Sequence, residues 1–588
     1  MMGGLTGILF TEFAYSLAGA VVISGIVAYT FSPMLCSKVL SKSITEAKTV
    51  KFIDSIFEKL KNAYERALRL VMSVRIVVIL FGAVVLISCY FLFAGTKSEL
   101  APTEDQAFIG IQGTAPSPAN IHYLNTFAPA LYKDMQSLPG VDSTFVVNGY
   151  PQSNSSFGGV VLKPWSERKE TQMQIKPILQ NLVNNVAGSQ IYTFEMPSLP
   201  GISFGPAMQF VIQSVNSYPG IYALANDVIQ KMMSSGLFVF AQSDLQFDNP
   251  QMIVQIDREK AASLGINMQQ TAQALGYAYS GGYVNYFSML GYSYQVIPEL
   301  LDSMKLTKEQ LGQIHITTAS GKLIPLSAIV NFETQSVPLS LNRFQQLNSA
   351  TISGVTTPGV SQGQAIDYME SLAKTELPQG YIHDYSGSAR QYLENTNQMG
   401  IAFAFALIVI FLMLAAQFES FRDPLIILIS VPMSICGALI PLYIGQLFNL
   451  GYASINIYTQ VGLITLIGLI SKHGILLTEF ANKLQEEGYS KVDAILKSAA
   501  LRLRPILMTT AAMVVGVIPL VIATGAGAVS RQSIGIVIAS GMTIGTMFTL
   551  FVVPVVYSYL AKDRRALIAR WKEEDKIIAQ INKNQRLE

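Results

Sequence analysis

Charge is what this chain has least of. Asp, Glu, Lys and Arg make up 13% of its 588 residues, against 50% apolar. A soluble domain carries about 25% charged residues, so an all-aqueous protein is excluded, and the deficit falls in blocks. Cysteine is scarce too: Cys36, Cys89 and Cys436 each sit in an apolar block and offer no disulfide framework. The four histidines, His122, His315, His383 and His473, are too scattered for a metal cluster. The chain has no His-Glu-x2-His pair, no Gly-x4-Gly-Lys-Ser/Thr loop, and no Gly-x-Gly-x2-Gly turn between strand and helix. An energy source other than ATP is therefore favoured. Nor does any nucleophile, base and oxyanion set occur at a usable spacing. No catalytic residue, metal site, cofactor or nucleic-acid partner is expected.

What is present is membrane-spanning. Windows of about 20 apolar residues give seven spans, near 13–35, 75–94, 398–416, 424–445, 456–480, 505–524 and 533–560. Basic residues orient them. Lys38, Lys42, Lys48, Lys51, Lys59, Lys61, Arg66, Arg69 and Arg75 lie between spans one and two, Lys483, Lys491, Lys497, Arg502 and Arg504 between five and six, and Lys562, Arg564, Arg565 and Arg570 after seven. All three groups fall on one side, which is therefore cytoplasmic, and the segment from Phe93 to Gly400 is outside. Phe52, Ile53, Ile56, Phe57, Leu60, Tyr64 and Leu68 alternate with the first basic group, which predicts an amphipathic connector on the inner leaflet.

One span is unlike the others. Val461 to Phe480 reads VGLITLIGLISKHGILLTEF, with Lys472 near its middle. An ammonium at that depth costs about 2.5–3.5 kcal/mol on insertion scales, so such a residue faces a bundle interior and marks an ion or proton pathway. His473 points about 100° away from it on a helix. In another span, Gly541 and Gly545 at Gly-x3-Gly spacing predict close helix packing.

The outer segment alternates in type. Runs starting at Phe108, Ser143, Met208 and Met252 have a period of two and read as strands. Between them, 121–135, 172–186, 221–234 and 361–375 read as helices, in the order of small split βαβ units. The stretch from Gly281 to Val296 reads as a projecting hairpin.

Seven stretches then carry a resemblance: FSPMLC (Phe31 to Cys36), ELAPTEDQ (Glu99 to Gln106), VVNGY (Val146 to Tyr150), IDREKAASLGI (Ile256 to Ile266), GGYVNYF (Gly281 to Phe287), GLITLIGLISKHGILLTEFA (Gly462 to Ala481) and LRLRPILMTT (Leu501 to Thr510). In this order they resemble the C-terminal half of a resistance-nodulation-division exporter, of the hydrophobe/amphiphile or acriflavine-resistance type. The fold it implies is a seven-span α-helical bundle plus a large α+β extracytoplasmic domain of ferredoxin-like βαβ subdomains with a docking hairpin. The expected division is residues 1–36 as the first span, 37–73 the connector, 74–95 the second span and 96–216 a first porter subdomain. Residues 217–259 and 345–396 form a second porter subdomain around a docking subdomain at 260–344. Residues 397–560 make the five-helix block and 561–588 a cytoplasmic tail.

The resemblance also implies a function: export of hydrophobic or amphiphilic compounds driven by proton influx across the bacterial inner membrane. The implied partners are the N-terminal half of the transporter, a homotrimer, a periplasmic adaptor and an outer-membrane channel. Lys472 matches the family's intramembrane lysine, with Thr509 and Arg502 as its polar and basic companions in the proton relay. Phe145, Tyr150, Phe157, Met208 and Phe210 match pocket-lining positions, with the loop Pro151 to Gly159 crossing them. The family's lysine pairs with two aspartates of the N-terminal half, and no span here holds a central acidic pair; Glu479 is about two turns from Lys472. The chain is thus expected to be a split or truncated part of a longer reading frame. The competing expectation is a membrane-anchored accessory protein whose outer domain binds partners, for which a mid-span lysine has no use.

Overall fold

The structure, a computed structural model, describes residues 4–39, 48–200, 205–279, 281–305 and 307–564. Residues 40–47 of the connector and the tail beyond 564 lie outside the described residues. Among those described, seven helices are long and apolar enough to cross a membrane: Phe10–Val39, Arg75–Gly95, Gly387–Phe418, Arg422–Leu447, Ile457–Glu486, Lys491–Val521 and Ala528–Leu560. The fourth is two helices, Arg422–Leu428 and Ser430–Leu447. The third follows strand Tyr381–Tyr385 almost directly, so one helix runs from the outer domain into the bundle.

Small residues set the bundle's packing. Gly541 and Gly545 lie against Ser434 of helix Ser430–Leu447, and the Ser434 hydroxyl donates to the Gly541 carbonyl at 2.8 Å. A Cβ on Gly545 would come within 2.7 Å of the Ser434 side chain. Without a hydrophobic drive between helices in lipid, such backbone approach is what holds them together.

The connector helix Lys48–Ser73 departs from a purely interfacial placement. Tyr64, Leu68 and Met72 are buried in the bundle core, the Tyr64 hydroxyl donates to the Leu550 carbonyl at 2.6 Å, and Arg504 pairs with Asp54 at 2.8 Å. Phe52, Ile53, Ile56 and Leu60 stay exposed. The apolar stripe therefore serves two surfaces, its C-terminal part facing protein.

Two of the outer sheets share one topology. In the first, the strand order is Val141–Asn148, Ser155–Leu162, Phe108–Thr114, Gln190–Glu195, all antiparallel. In the second it is Phe238–Ser243, Leu347–Thr356, Met208–Ser214, Tyr381–Tyr385. Each is a split βαβ pair with two helices on one face, as the alternating pattern predicts. Ile109, Ile111, Val160 and Leu162 of the first sheet pack on Leu131, Met135, Ile175 and Leu179 of its helices Ile121–Gln136 and Gln172–Val183.

Two expected boundaries move. Met208–Ser214 is a central strand of the second sheet, so the first subdomain ends before it and not at 216. Asn249–Ile256 pairs with Val330–Val337 in a separate compact unit, Ala115–Ile121 with Leu245–Asn342, so that unit begins before 260. Both strands read correctly as strands, but their partners lie 74 to 88 residues on for Asn249–Ile256 and 134 to 146 for Met208–Ser214, beyond the reach of local pattern. Within this unit the hairpin Asn285–Met289 with Tyr292–Val296 is exposed throughout. Its turn, Leu290 and Gly291, has φ of 52° and 80°, the two positive values of a type I′ hairpin.

Substituting Gly545→Ala is expected to lower stability by about 1–3 kcal/mol through overpacking. Gly516→Ala, where a Cβ meets nothing within 4 Å, should be neutral or stabilising. Thermal unfolding of the two variants in detergent compares them directly.

Candidate functional site

Helix Ile457–Glu486 is capped by Asn456, whose Oδ1 accepts from the Tyr458 and Thr459 backbone N–H groups at 2.9 and 3.0 Å. Most of its circumference is buried. One stripe is not: Gly468, Lys472 and Glu479 are exposed, with Thr465 and Ile475 half-buried beside them. A Cβ on Gly468 would meet nothing within 4 Å. Among the described residues, Lys472 makes no hydrogen bond or ion pair, so mid-span its ammonium lies on an open face.

The other two relay candidates sit on helix Lys491–Val521. Arg502 lies over the Phe480 ring at 4.4 Å, and its Nε is buried without a hydrogen-bond partner. Thr509 is half-buried and donates to the Ile506 carbonyl at 2.9 Å. None of the three bonds another. Sequence reasoning overlooked a polar cluster on the inner side of the same helix. His473 is fully buried; its Nε2 is 3.3 Å from Thr510 Oγ1 and its Nδ1 is 3.2 Å from Thr546 Oγ1. The two hydroxyls are 3.2 Å apart. The signal available was the apolar periodicity, which puts residue 473 on the buried side.

Above the bundle, residues 96–106 form a strap. Ile455 N–H donates to Lys97 O at 2.7 Å, Glu99 N–H to Ile455 O at 3.0 Å and Ile457 N–H to Leu100 O at 3.1 Å, which ties the strap to the start of the Lys472 helix. Gly363 N–H donates to Ser98 O at 3.0 Å and Tyr392 OH to Ser98 Oγ at 2.8 Å, reaching the second subdomain and the third span. Buried Glu104 caps helix Ala528–Leu560, accepting from Val529 N at 3.2 Å, Ser530 N at 2.6 Å and Ser530 Oγ at 2.5 Å. A carboxylate at a helix N-terminus is favoured by both hydrogen bonding and the dipole. Asp105 then pairs with Arg168 of the first subdomain and accepts from Gln172 N at 3.0 Å. The guanidinium and these N–H groups hold its carboxyl below the usual range against its burial.

The aromatic candidates divide. Phe145 and Phe157 lie on the first sheet's face away from its helices, with Phe108, Tyr192 and Phe194. Ring centroids are 6.1 Å apart for Phe145–Phe157 and Phe157–Phe194, and 6.3 Å for Phe108–Phe145. Gly110 and Gly159 form the floor, since a Cβ on either would strike the rings of Phe194 or Phe108 at 2.3 and 2.4 Å. Tyr192 stacks on Phe240 of the second sheet at 5.4 Å, which joins the two faces. Tyr150 is exposed on the loop after strand Val141–Asn148. Met208 and Phe210, by contrast, are buried on the helix side of the second sheet, 1% exposed each. Phe210 stacks on His383, which contacts Glu370 of helix Gln362–Glu376. They are core residues and not the lining residues the resemblance implies, because period two sends them under the helices. Phe108, Tyr192 and Phe194 were missed, although the same period puts them on the Phe145 face.

Seven apolar helices with a charged open face, strapped to two ferredoxin-like subdomains, define a polytopic membrane protein with a large α+β outer domain. The chain belongs to the AcrB/AcrD/AcrF family, whose sequence model matches residues 1–561. This bears out the resemblance to resistance-nodulation-division transporters and makes the chain an inner-membrane protein with a periplasmic domain. It is 43% identical to an uncharacterized transporter of Haemophilus influenzae over 96% of this chain and 55% of that protein. It is 29% identical to the toluene efflux pump membrane transporter TtgB of Pseudomonas putida, over 94% of this chain and 54% of that one. Identity is also 29% to the multidrug export protein AcrF of Escherichia coli, over 94% and 55%. The chain thus spans about half the length of the curated relatives it matches.

Burial raises the Glu99 carboxyl from 4.5 to about 7, offset in part by the Ser454 hydroxyl and the Lys97 ammonium. A raised carboxyl favours the folded state while protonated, so its contribution is full below pH 4.5 and fades as pH rises through about 7. Glu99→Gln should flatten that decline, read from thermal unfolding between about pH 5 and about pH 8.

Proposed function

We propose that this chain forms part of a proton-driven exporter of hydrophobic or amphiphilic compounds, with Lys472 as the cation that proton binding switches. One observation carries the reading: among the described residues, the Lys472 ammonium stands mid-span without hydrogen bond or ion pair on the open face of its helix. Facing lipid it would cost several kcal/mol, so the open face calls for a protein cover that brings carboxylates. The relatives' greater length leaves room for such helices, and the family's N-terminal half is the proposed source.

In this reading the ammonium is held while the facing carboxylates are ionised and is released when they take up protons. The bundle then has two packings, and proton entry drives one into the other. Thr509 and Arg502, on the adjoining helix, complete the polar lining. The strap at 96–106 passes displacement of the Lys472 helix to the two subdomains. Phe145, Tyr150 and Phe157 contact the cargo on the aromatic shelf, where flat rings over a glycine floor suit apolar molecules of varied shape. The exposed hairpin suits docking, within a homotrimer and toward an adaptor and outer-membrane channel.

Lys472→Ala is expected to abolish energy-dependent ethidium efflux, a loss of about a hundredfold or more, with membrane level and assembly intact. Efflux at the wild-type rate in that variant rejects the switching role and favours the membrane-anchored accessory.

A further inference from the structure

Two adjacent pairs of residues lie on neighbouring helices, and within each pair the side chains point about 100° apart, the second member being the more buried. Lys472 is exposed and His473 fully buried; Thr509 is half-buried and Thr510 is 8% exposed. The inward members meet at 3.3 Å, Nε2 to Oγ1. We propose that His473 is a positioning residue: through Thr510 it fixes the rotation of the Lys472 helix relative to the Thr509 helix, and with it where the ammonium stands.

The hydrogen count supports a fixed joint. Thr510 Oγ1 lies 2.9 Å from the Ile506 carbonyl, and Thr546 Oγ1 2.5 Å from the Met542 carbonyl, each on its own helix. A neutral imidazole has one N–H and one lone pair. One threonine therefore accepts from the ring and keeps its carbonyl, while the other turns its proton to the ring. Either tautomer binds both neighbours, so the ring joins helices Ile457–Glu486, Lys491–Val521 and Ala528–Leu560 at once. Turning the Lys472 helix against the other two breaks both contacts and leaves polar atoms unpaired where no water replaces them. One residue further along, Gly474 brings this helix onto Ile427, 3.0 Å from where a Cβ would stand, leaving the His473 turn little room to slide. The three helices accordingly move as one body at this level, and the position of Lys472 relative to Thr509 is conserved through that movement.

This role deepens the proton-driven reading and rests on it, but two amide substitutions test it separately. A glutamine amide reaches the place of Nε2, and an asparagine amide only that of Nδ1. His473→Gln therefore retains the Thr510 contact, whereas His473→Asn retains only that to Thr546. In cells making the whole transporter, His473→Asn and Thr510→Val should lower the maximal rate of ethidium export about tenfold with the half-saturating concentration unchanged. His473→Gln should keep most of the rate. In membranes from the same cells, the pH profile of Lys472 labelling by an amine-reactive reagent, resolved by mass spectrometry, should shift in His473→Asn and Thr510→Val but not in His473→Gln. Equal behaviour of the two amide variants, in rate and in labelling, overturns the proposal. The labelling does not depend on export, so it still decides the role of His473 if Lys472→Ala leaves efflux intact and the proton-driven reading fails.

Discussion

The charge of Lys472, near the middle of an apolar helix, constrains the rest of this molecule. An ammonium in hydrocarbon is tolerated where protein surrounds it, yet helix Ile457–Glu486 buries nearly every face except the one bearing Lys472. The buried faces are occupied by the neighbouring spans, with Gly462 against Val537 and Gly474 against Ile427. The helix cannot turn to hide the lysine without pushing His473 out of its hydroxyl pair. The open stripe is thus enforced from behind by packing and by polar contacts.

The same helix is fixed at its outer end. Asn456 caps it, and the strap at 96–100 lies against its first residues through backbone bonds. A few residues further, Glu104 grips the start of helix Ala528–Leu560, and Asp105 grips Arg168 beneath the first sheet. Three adjoining structures are therefore reached within one short segment. A segment with so many partners transmits displacement better than it absorbs it, because moving any anchor breaks several bonds together. The third span adds a second rigid link, since helix Gly387–Phe418 continues from the last strand of the second sheet.

Local pattern made much of this readable. Apolar windows coincide with the seven long apolar helices found among the described residues, because a candidate span announces itself by length and composition. Strand and helix alternation identified the split βαβ units. Pairing over long separations was not readable: Met208–Ser214 looks equally suited to either sheet until its ladder with Leu347–Thr356 is seen. The same holds for the site. Lys472 stands out because its type violates its surroundings, whereas His473, Thr510 and Thr546 are ordinary singly and acquire meaning only when three helices bring them together. Connector residues Tyr64 and Leu68 show the converse, an amphipathic stripe that says something apolar is covered without saying whether it is lipid or protein.

The two sheets differ most at one topological point, and that point separates their roles. In each, the second and third strands of the βαβ-βαβ order are joined by a connection at the same place. In the first sheet it is the short loop 149–154, carrying exposed Tyr150 at the margin of the aromatic face. In the second it holds nearly the whole of the other compact unit, Leu245–Asn342. A hairpin connection tolerates insertion because it lies outside the ladders and interrupts no core. Neither version disturbs the helix-covered faces, where Ile109, Ile111, Met208 and Phe210 are locked in place. The opposite faces, free of helices, meet at Tyr192 and Phe240. Sequence variation therefore has an outlet on the ring-lined side and at the loop tip, while the side under the helices keeps its packing.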